Sequence, residues 1–385
     1  MRALSLCRWS RRPACCVTGV SICLLVSVPA AAGEIADTLQ VHGFLSQALL
    51  TSDGNDFWGE STRNVGSLEY TEMGLNVSLR PGDRLLLSAQ VLSRRAGDDN
   101  EAYSPSLDYG LLDYQLVSNS QRVAGIQVGK LKQPFGLYNA TRDVAFTRPS
   151  ILLPQSLYFD RTRVPALSSL GVSLYSEERV PGGTLSLQAG VGRVNTDDSV
   201  GRAILPSRAP ARVEGDLSAL ARMRFESGNG AVVAAFTMVD ANIDIKSTPY
   251  LGRYGFRPAV FSLQYNREHW NLTGEYAIRR QQWVPERGPG RHETGESWYV
   301  QYTRRFAHQW QWLARYDSLV EDTGDGRRGA HASYARDGTV GLRWNVSPHF
   351  LLAAEYHNVE GTAWLPGDGR ERYWDMLLFQ VALRF

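Results

Sequence analysis

The sequence predicts an all-β fold: a transmembrane, antiparallel, up-and-down β-barrel of about sixteen strands. Three observations carry this expectation. From Val41 to Phe385 apolar residues recur at alternate positions in about sixteen runs of roughly ten residues. The runs are separated in turn by short turns and by long polar loops. After residue 32 no stretch approaches the ~20 consecutive apolar residues of a membrane helix, and no helical period appears.

Met1 to Ala32 reads as a secretory signal. Arg2, Arg8, Arg11 and Arg12 make a basic start, Ala14 to Val28 is apolar but too short to span a bilayer, and Ala30-Ala31-Ala32 offers a small-residue cleavage site. The domains expected are therefore 1–32, a signal peptide, and 33–385, the barrel. All four cysteines (Cys7, Cys15, Cys16, Cys23) fall in the signal, so the mature chain has neither a disulfide nor a Cys-containing metal site, and no cofactor is expected. The chain has 41 basic and 39 acidic residues. Losing the four signal arginines leaves 37 against 39, a balance of −2, which gives no support to a nucleic-acid partner. Lys130, Lys132 and Lys246 are the only lysines, so nearly every cation is a permanently charged, planar guanidinium.

The separators between the runs fall into two sets. Short ones include Arg80-Pro81-Gly82-Asp83, Asn119-Ser120, Gly228-Asn229-Gly230, Glu268-His269, Ala307-His308 and Ser347-Pro348-His349. Long polar ones lie near 51–64, 96–106, 136–166, 195–214, 241–257, 284–296, 321–336 and 361–373. Short turns at one end and long loops at the other mark a membrane barrel; a soluble sandwich has no reason to segregate them. The faces agree. Trp298, Val300, Tyr302 and Phe306 alternate with Ser297, Tyr299, Gln301, Thr303 and Arg305; Trp310, Trp312, Ala314 and Tyr316 alternate with Gln309, Gln311, Arg315 and Asp317. Leu220 and Leu313 break the pattern by standing on the polar face. Trp and Tyr near strand ends fit a membrane girdle. The last run, Asp375 to Phe385, ends Leu377-x-Phe379-x-Val381-x-Leu383-x-Phe385.

That ending resembles the C-terminal signature of outer-membrane porins. Val41-His42-Gly43-Phe44, Gly129-x-x-Lys132-x-Pro134-Phe135-Gly136 and Tyr138-Asn139-x-x-Arg142-Asp143 resemble Gram-negative porins of the phosphate-selective type and their relatives. The resemblance implies a sixteen-stranded barrel in the outer membrane, often trimeric, passing small solutes, with a third outer loop that folds inward. Here that loop is 136–166. It also implies Phe385 as the mark read by the barrel assembly machinery. One departure stands out: only Lys130 and Lys132 are near the constriction, where phosphate-selective members cluster lysines.

Within that frame the constriction candidates are Arg142, Asp143, Arg148, Asp160, Arg161 and Arg163. Either the arginines line the pore and concentrate anions, or they pair with Asp143 and Asp160 to hold the loop's shape. Pore-wall candidates are Lys132, Arg222, Arg224, Arg305, Arg315 and Arg343, with Glu72, Asp113, Glu275, Asp317 and Glu355 also reading inward. A wet wall needs polar residues in any case, so the slight Arg excess supports a weak anion preference only. Asp98-Asp99-Asn100-Glu101 reads as a solvated loop, its spacing matching no ion-binding loop, and Arg94-Arg95 beside it as a contact for lipopolysaccharide phosphates.

The expected function is passive diffusion of small hydrophilic solutes, with no catalysis. The alternatives are an outer-membrane hydrolase and a plugged structural or adhesive barrel. The seven histidines are scattered, without a His-x-x-x-His pair or a Gly-x-Ser-x-Gly elbow. Outward aromatics crowd 258–356, whereas 71–95 and 183–240 carry mostly Leu, Val, Ala and Met. Small, smooth walls pack closely, which suggests a homotrimer joined through the first half of the barrel.

Overall fold

The structure is a computed structural model that describes residues 38–61, 66–97, 103–160, 163–197, 200–201, 204–205, 212–248, 250–324, 330–365 and 371–385. The segment 1–32 expected to be a signal, the 98–101 acidic cluster and Arg161 lie outside them. The strands are β1 (Gln40–Asp53), β2 (Ser67–Gly82), β3 (Leu85–Ala96), β4 (Ser106–Ser118), β5 (Arg122–Lys132), β6 (Ser168–Val180), β7 (Gly183–Val194), β8 (Val213–Gly215), β9 (Leu217–Ser227), β10 (Val232–Ile245), β11 (Gly252–Asn266), β12 (Trp270–Pro285), β13 (Arg291–Phe306), β14 (Trp310–Val320), β15 (Tyr334–Ser347), β16 (Phe350–Gly361) and β17 (Tyr373–Arg384). β8 and β9 both pair with β10 and are one strand interrupted at Asp216, so the seventeen segments make sixteen crossings.

Every pairing is antiparallel between neighbours in sequence, and β1 pairs with both β2 and β17, which closes the barrel. The seam is sealed by reciprocal backbone bonds between Gly43 and Phe385, 3.1 and 3.0 Å. Closure leaves no edge whose backbone groups would go unpaired in lipid. An even number of crossings brings Gln40 and Arg384 to the same end, the end of the short turns. The segregation of turns and loops expected from sequence holds, but two expected long loops, 241–257 and 284–296, are mostly strand: β10 runs to Ile245 and β11 starts at Gly252, and β12 runs to Pro285 and β13 starts at Arg291. The sequence reading missed one tight turn, Pro181-Gly182 between β6 and β7, where Gly182 takes φ +87°.

Alternation divides the wall. Outward positions carry exposed apolar side chains such as Met73, Leu75, Leu174, Met223, Phe261 and Val300. Aromatic rings form a belt near the short-turn end of β11–β15: Tyr265, Trp270, Tyr302 and Trp312 follow one another at 5.7, 5.8 and 5.2 Å, and Trp310 stacks on Trp344 at 5.0 Å. Inward positions hold buried polar groups, including Glu72, Thr237, Gln301, Arg315 and Asp317. Phe44 is an inward exception explained by its neighbour: its ring lies over Gly74, where a Cβ would come within 2.4 Å of it.

At the long-loop end of β10 and β11 the pattern inverts. Outward positions there are charged, with Arg257 on Asp240 at 3.1 Å and Arg253 on Asp244 at 3.3 Å. Inward positions are Ala241, Ile243, Ile245, Tyr254 and Phe256. These strands run 14 and 15 residues, against the ~9–11 that cross a bilayer. Their ends project into water, where an apolar outer face has nothing to gain.

Candidate functional site

The segment 133–167 between β5 and β6 is the third long loop. It departs at Pro134-Phe135-Gly136. Gly136 has φ +58°, and a Cβ there would meet the Tyr158 hydroxyl at 2.4 Å and Glu275 Oε1 at 2.9 Å. Only glycine satisfies both the left-handed backbone and the space. The Leu137 N–H donates to Glu275 Oε1 (3.0 Å) and to the Tyr158 hydroxyl (2.8 Å). Glu275, inward on β12, also accepts from Tyr158 (2.5 Å), Tyr299 (2.6 Å) and Ser262 (2.5 Å), so one buried carboxylate gathers both limbs of the loop and three strands.

The charged residues of the loop form a second knot. Arg163 binds Glu72 of β2 at 2.6 Å and Asp143; Arg148 binds the same Glu72 at 3.0 Å and donates to the Tyr70 hydroxyl at 2.8 Å. Asp160 takes Arg94 at 2.5 Å and Arg142 at 3.5 Å. Lys132 bridges Asp108 (2.5 Å) and Asp143. Five cations (Lys132, Arg94, Arg142, Arg148, Arg163) thus face four carboxylates (Glu72, Asp108, Asp143, Asp160), and nearly all this charge is compensated. Burial would raise the Asp160 carboxyl, but Arg94, Arg163 and Arg142 outweigh it and hold it down at about 2. Asp143 is likewise buried yet held below the usual carboxylate range by Lys132 and Arg163. Burial draws Arg142 down to about 10, which leaves it charged at neutral pH.

Contacts farther along carry the loop to the inward faces of β14, β15 and β16. The Ile151 and Leu152 N–H groups donate to the two oxygens of Glu355, at 2.5 and 3.1 Å. Arg315 donates to the Leu152 carbonyl (3.0 Å) and Ser150 Oγ (3.2 Å); Arg343 donates to the Arg148 (2.7 Å) and Phe146 (3.2 Å) carbonyls. Two wall arginines therefore clamp the loop backbone. Above them Ile151 and Leu152 enter a core with Phe57, Trp58, Trp364 and Trp374 from the first and last long loops and their strands. Leu153 and Leu157 pack with Val260, Ala277 and Tyr299.

The opposite side of the loop borders open space. A cavity separates it from the inward faces of β6–β11. Leu157 and Phe159 line it from the loop, Leu220, Val239, Ile243 and Phe256 from the wall, and Val200 and Ile204 from the fourth long loop. The strand wall opposite is smoothed by Gly190 and Gly192 of β7.

The remaining wall candidates lie apart. Arg222, inward on β9, makes no ion pair among the described residues. Arg224 binds Glu226 at 2.5 Å, and Arg305 binds the Glu268 carbonyl at 2.9 Å at the short-turn rim. The expectation that Arg94 and Arg95 meet lipid phosphates fails for Arg94, which pairs inward with Glu72 in strand register and with Asp160. Arg95 pairs with Glu69. Sequence reasoning placed Glu275 and Glu355 on the inner wall but missed their role as loop anchors; Tyr70, Tyr158 and His357 carried no signal at all. His357 lies under the loop with Asp337 (2.8 Å) and Thr339 (3.1 Å) on Nδ1 and Glu355 (3.4 Å) on Nε2. These partners are buried and otherwise engaged, Glu355 by the Ile151 and Leu152 N–H groups and Thr339 by Arg315 and Asp337, so the cluster serves to support the loop. Among the described residues no group of three or more His, Asp or Glu side chains is placed to hold a metal ion.

No protein-family model matches the chain, and no characterised protein matches it in sequence. The likeness is to solved structures. The outer membrane channel DcaP of Acinetobacter baumannii superposes with TM-score 0.61 at 11% identity, over 90% of this chain and 97% of that one. An anion-selective porin from Comamonas acidovorans gives TM-score 0.60 at 13% identity, over 90% and 99%. The trimer form of OmpT, an outer membrane protein of Vibrio cholerae, gives 0.59 at 12%, over 90% and 99%. At such identities the likeness is one of fold. The chain has the fold of outer-membrane porins, with the apolar, aromatic-belted wall of a barrel seated in a bilayer.

Proposed function

We propose that the protein is a porin that lets small hydrophilic solutes diffuse across the outer membrane, with the loop 133–167 folded into the lumen as its constriction. The observation that carries the reading is one-sided anchoring. The loop is bonded to inward residues of β2, β12, β14, β15 and β16, while a cavity remains between it and β6–β11. A plugged structural barrel would be expected to fill that space too.

The weak anion preference is then assigned to the wall. The loop arginines are compensated within their own knot, whereas Arg222 and Arg343 lack carboxylate partners among the described residues, and Arg343 is spent on loop carbonyls. One neighbour in fold is anion-selective, which agrees with this sign. Assembly as a homotrimer through the smooth outward faces of β2, β3 and β7–β10 fits the aromatic belt on β11–β15, which marks lipid-facing wall. One neighbour is a trimer form. Phe385, sealed into the seam, is the residue offered to the barrel assembly machinery, and lipopolysaccharide contacts fall to the charged outer ends of β10 and β11 in place of Arg94.

The test is a planar-bilayer recording of the purified protein in potassium chloride. Stable open steps with a reversal potential on the anion side are expected. Absence of conductance from folded protein would contradict the reading. Cross-linking of Ala89→Cys or Val77→Cys should trap trimers, and trapping through neighbours of Trp312 instead would contradict the interface.

A further inference from the structure

We propose that the passage favours small amphipathic organic anions: an apolar body carried on the apolar lining, with a carboxylate-type head met by Arg222. This rests on the porin reading and narrows it to a solute class.

The wall of an aqueous pore is expected to be polar. Along this passage Gln188, Ser218, Arg279 and Glu321 supply such a wall, but an apolar band interrupts it. Leu220 of β9 stands in register with Val239 of β10, and one level toward the long loops Ala241 stands opposite Phe256. Leu157 and Phe159 border the same space from the loop. Leu220, Ala241 and Leu157 are nearly covered by one another, but Val239, Phe256 and Phe159 keep part of their surface open to this volume, where water wets them when the passage is empty. An apolar solute body releases that water, whereas a sugar-like body of equal size leaves the apolar wall unmatched.

The next inward level toward the short turns is polar and positive. Arg222 lies two residues beyond Leu220, ~7 Å along the strand, in register with Gln188 and Thr237. Its Nε has no hydrogen-bond partner, and it makes no ion pair among the described residues. Its neighbour Arg224 is neutralised by Glu226. Glu275 is engaged by Tyr158, Tyr299, Ser262 and the Leu137 N–H. Glu321, a carboxylate on the lining, lies at the long-loop end near Arg279, which binds the adjacent Val320 carbonyl at 3.0 Å. A solute entering from the long loops therefore passes Glu321 and Arg279 at the mouth, then meets an apolar collar and an uncompensated guanidinium below it. That order suits a molecule with one apolar and one anionic end.

Hexanoate and gluconate test this, because both are six-carbon monocarboxylates that differ in the polarity of the body. Purified protein in a planar bilayer is first checked for conductance in potassium chloride. Bi-ionic reversal potentials at pH 8 then give the permeability ratio. Hexanoate is expected to be favoured roughly fivefold or more. The triple variant Leu220→Ser, Val239→Ser, Ile243→Ser should bring the ratio near unity, and Arg222→Gln should lower both carboxylates relative to potassium. Val239→Thr, nearly isosteric, serves if the triple variant fails to fold, and should reduce the ratio in part. Equal permeabilities in a conducting wild-type channel, or a ratio unchanged in the polar-lining variants, overturns the proposal alone. No chloride conductance from folded protein overturns the porin reading, and the proposal with it.

Discussion

The loop 133–167 has two sides built from different chemistry. Toward β2 and β12–β16 it is held by buried carboxylates and arginines, each group serving several partners: Glu72 takes Arg94, Arg148 and Arg163, and Glu275 takes three hydroxyls and a backbone N–H. Toward β6–β11 it presents Leu157 and Phe159 to open space and to a wall of Leu, Val, Ile and Phe. Charge placed on the first side fixes position, because buried ions tolerate no loss of partners. Apolar surface on the second leaves a gap, which the proposed function assigns to solutes. Charged residues in a pore loop are thus not by that fact the residues that meet the solute.

This contrast can be broken at several points. The largest effect is expected from deleting 145–160, which removes both the clamp on Arg315 and Arg343 and the obstruction. Conductance should roughly double or more, with the barrel still folded as judged by its heat-dependent mobility on a gel; unchanged conductance would mean the loop does not obstruct. Next comes Glu72→Ala. It strips three arginines of a shared, fully buried partner, and loop anchoring should fall by about 3–5 kcal/mol. Open-channel noise and protease cutting within the loop would report it. Glu275→Gln should cost less, ~1–3 kcal/mol, because the amide oxygen still accepts from the tyrosines.

A smaller and graded effect is expected from acid. Asp160 is held at about 2 and Asp143 is also depressed. A depressed carboxylate stabilises the loop fully above its unfolded value, ~4. That contribution is lost as pH falls from ~4 through the folded value near 2. Channel noise should therefore stay flat from pH 7 to about 5 and rise only at lower pH; a rise near pH 6 would implicate other groups. The smallest effect is predicted for the double variant Arg224→Gln, Glu226→Gln. The two charges cancel, so removing both should leave reversal potentials unmoved, in contrast to Arg222→Gln.

Much of the barrel could be read from sequence, since alternation, turn spacing and the even count of crossings are local properties. Leu220 and Leu313 looked like defects in that alternation. Both face inward and are buried, but Leu220 keeps 7% of its surface open and borders the passage, whereas Leu313, at 2%, lies on the clamped side beneath the loop. Sequence could not separate them, because the loop that covers one and spares the other is 146 or more residues from Leu313 and lies before both strands. For the same reason Glu275, Glu355, Arg315 and Arg343 read only as a polar wall. Their bonds to Leu137, Ile151, Leu152 and Arg148 are set by how the loop crosses the barrel.

The same two leucines supply the most direct measurement of the central contrast. All four cysteines lie within residues 1–23, so 38–385 contain no other thiol. Leu220→Cys and Leu313→Cys can each be challenged, in open channels, with a small water-soluble thiol reagent. Stepwise, irreversible loss of current is predicted for Leu220→Cys and none for Leu313→Cys. Block at Leu313→Cys with Leu220→Cys unaffected would place the passage on the other side of the loop and contradict the account.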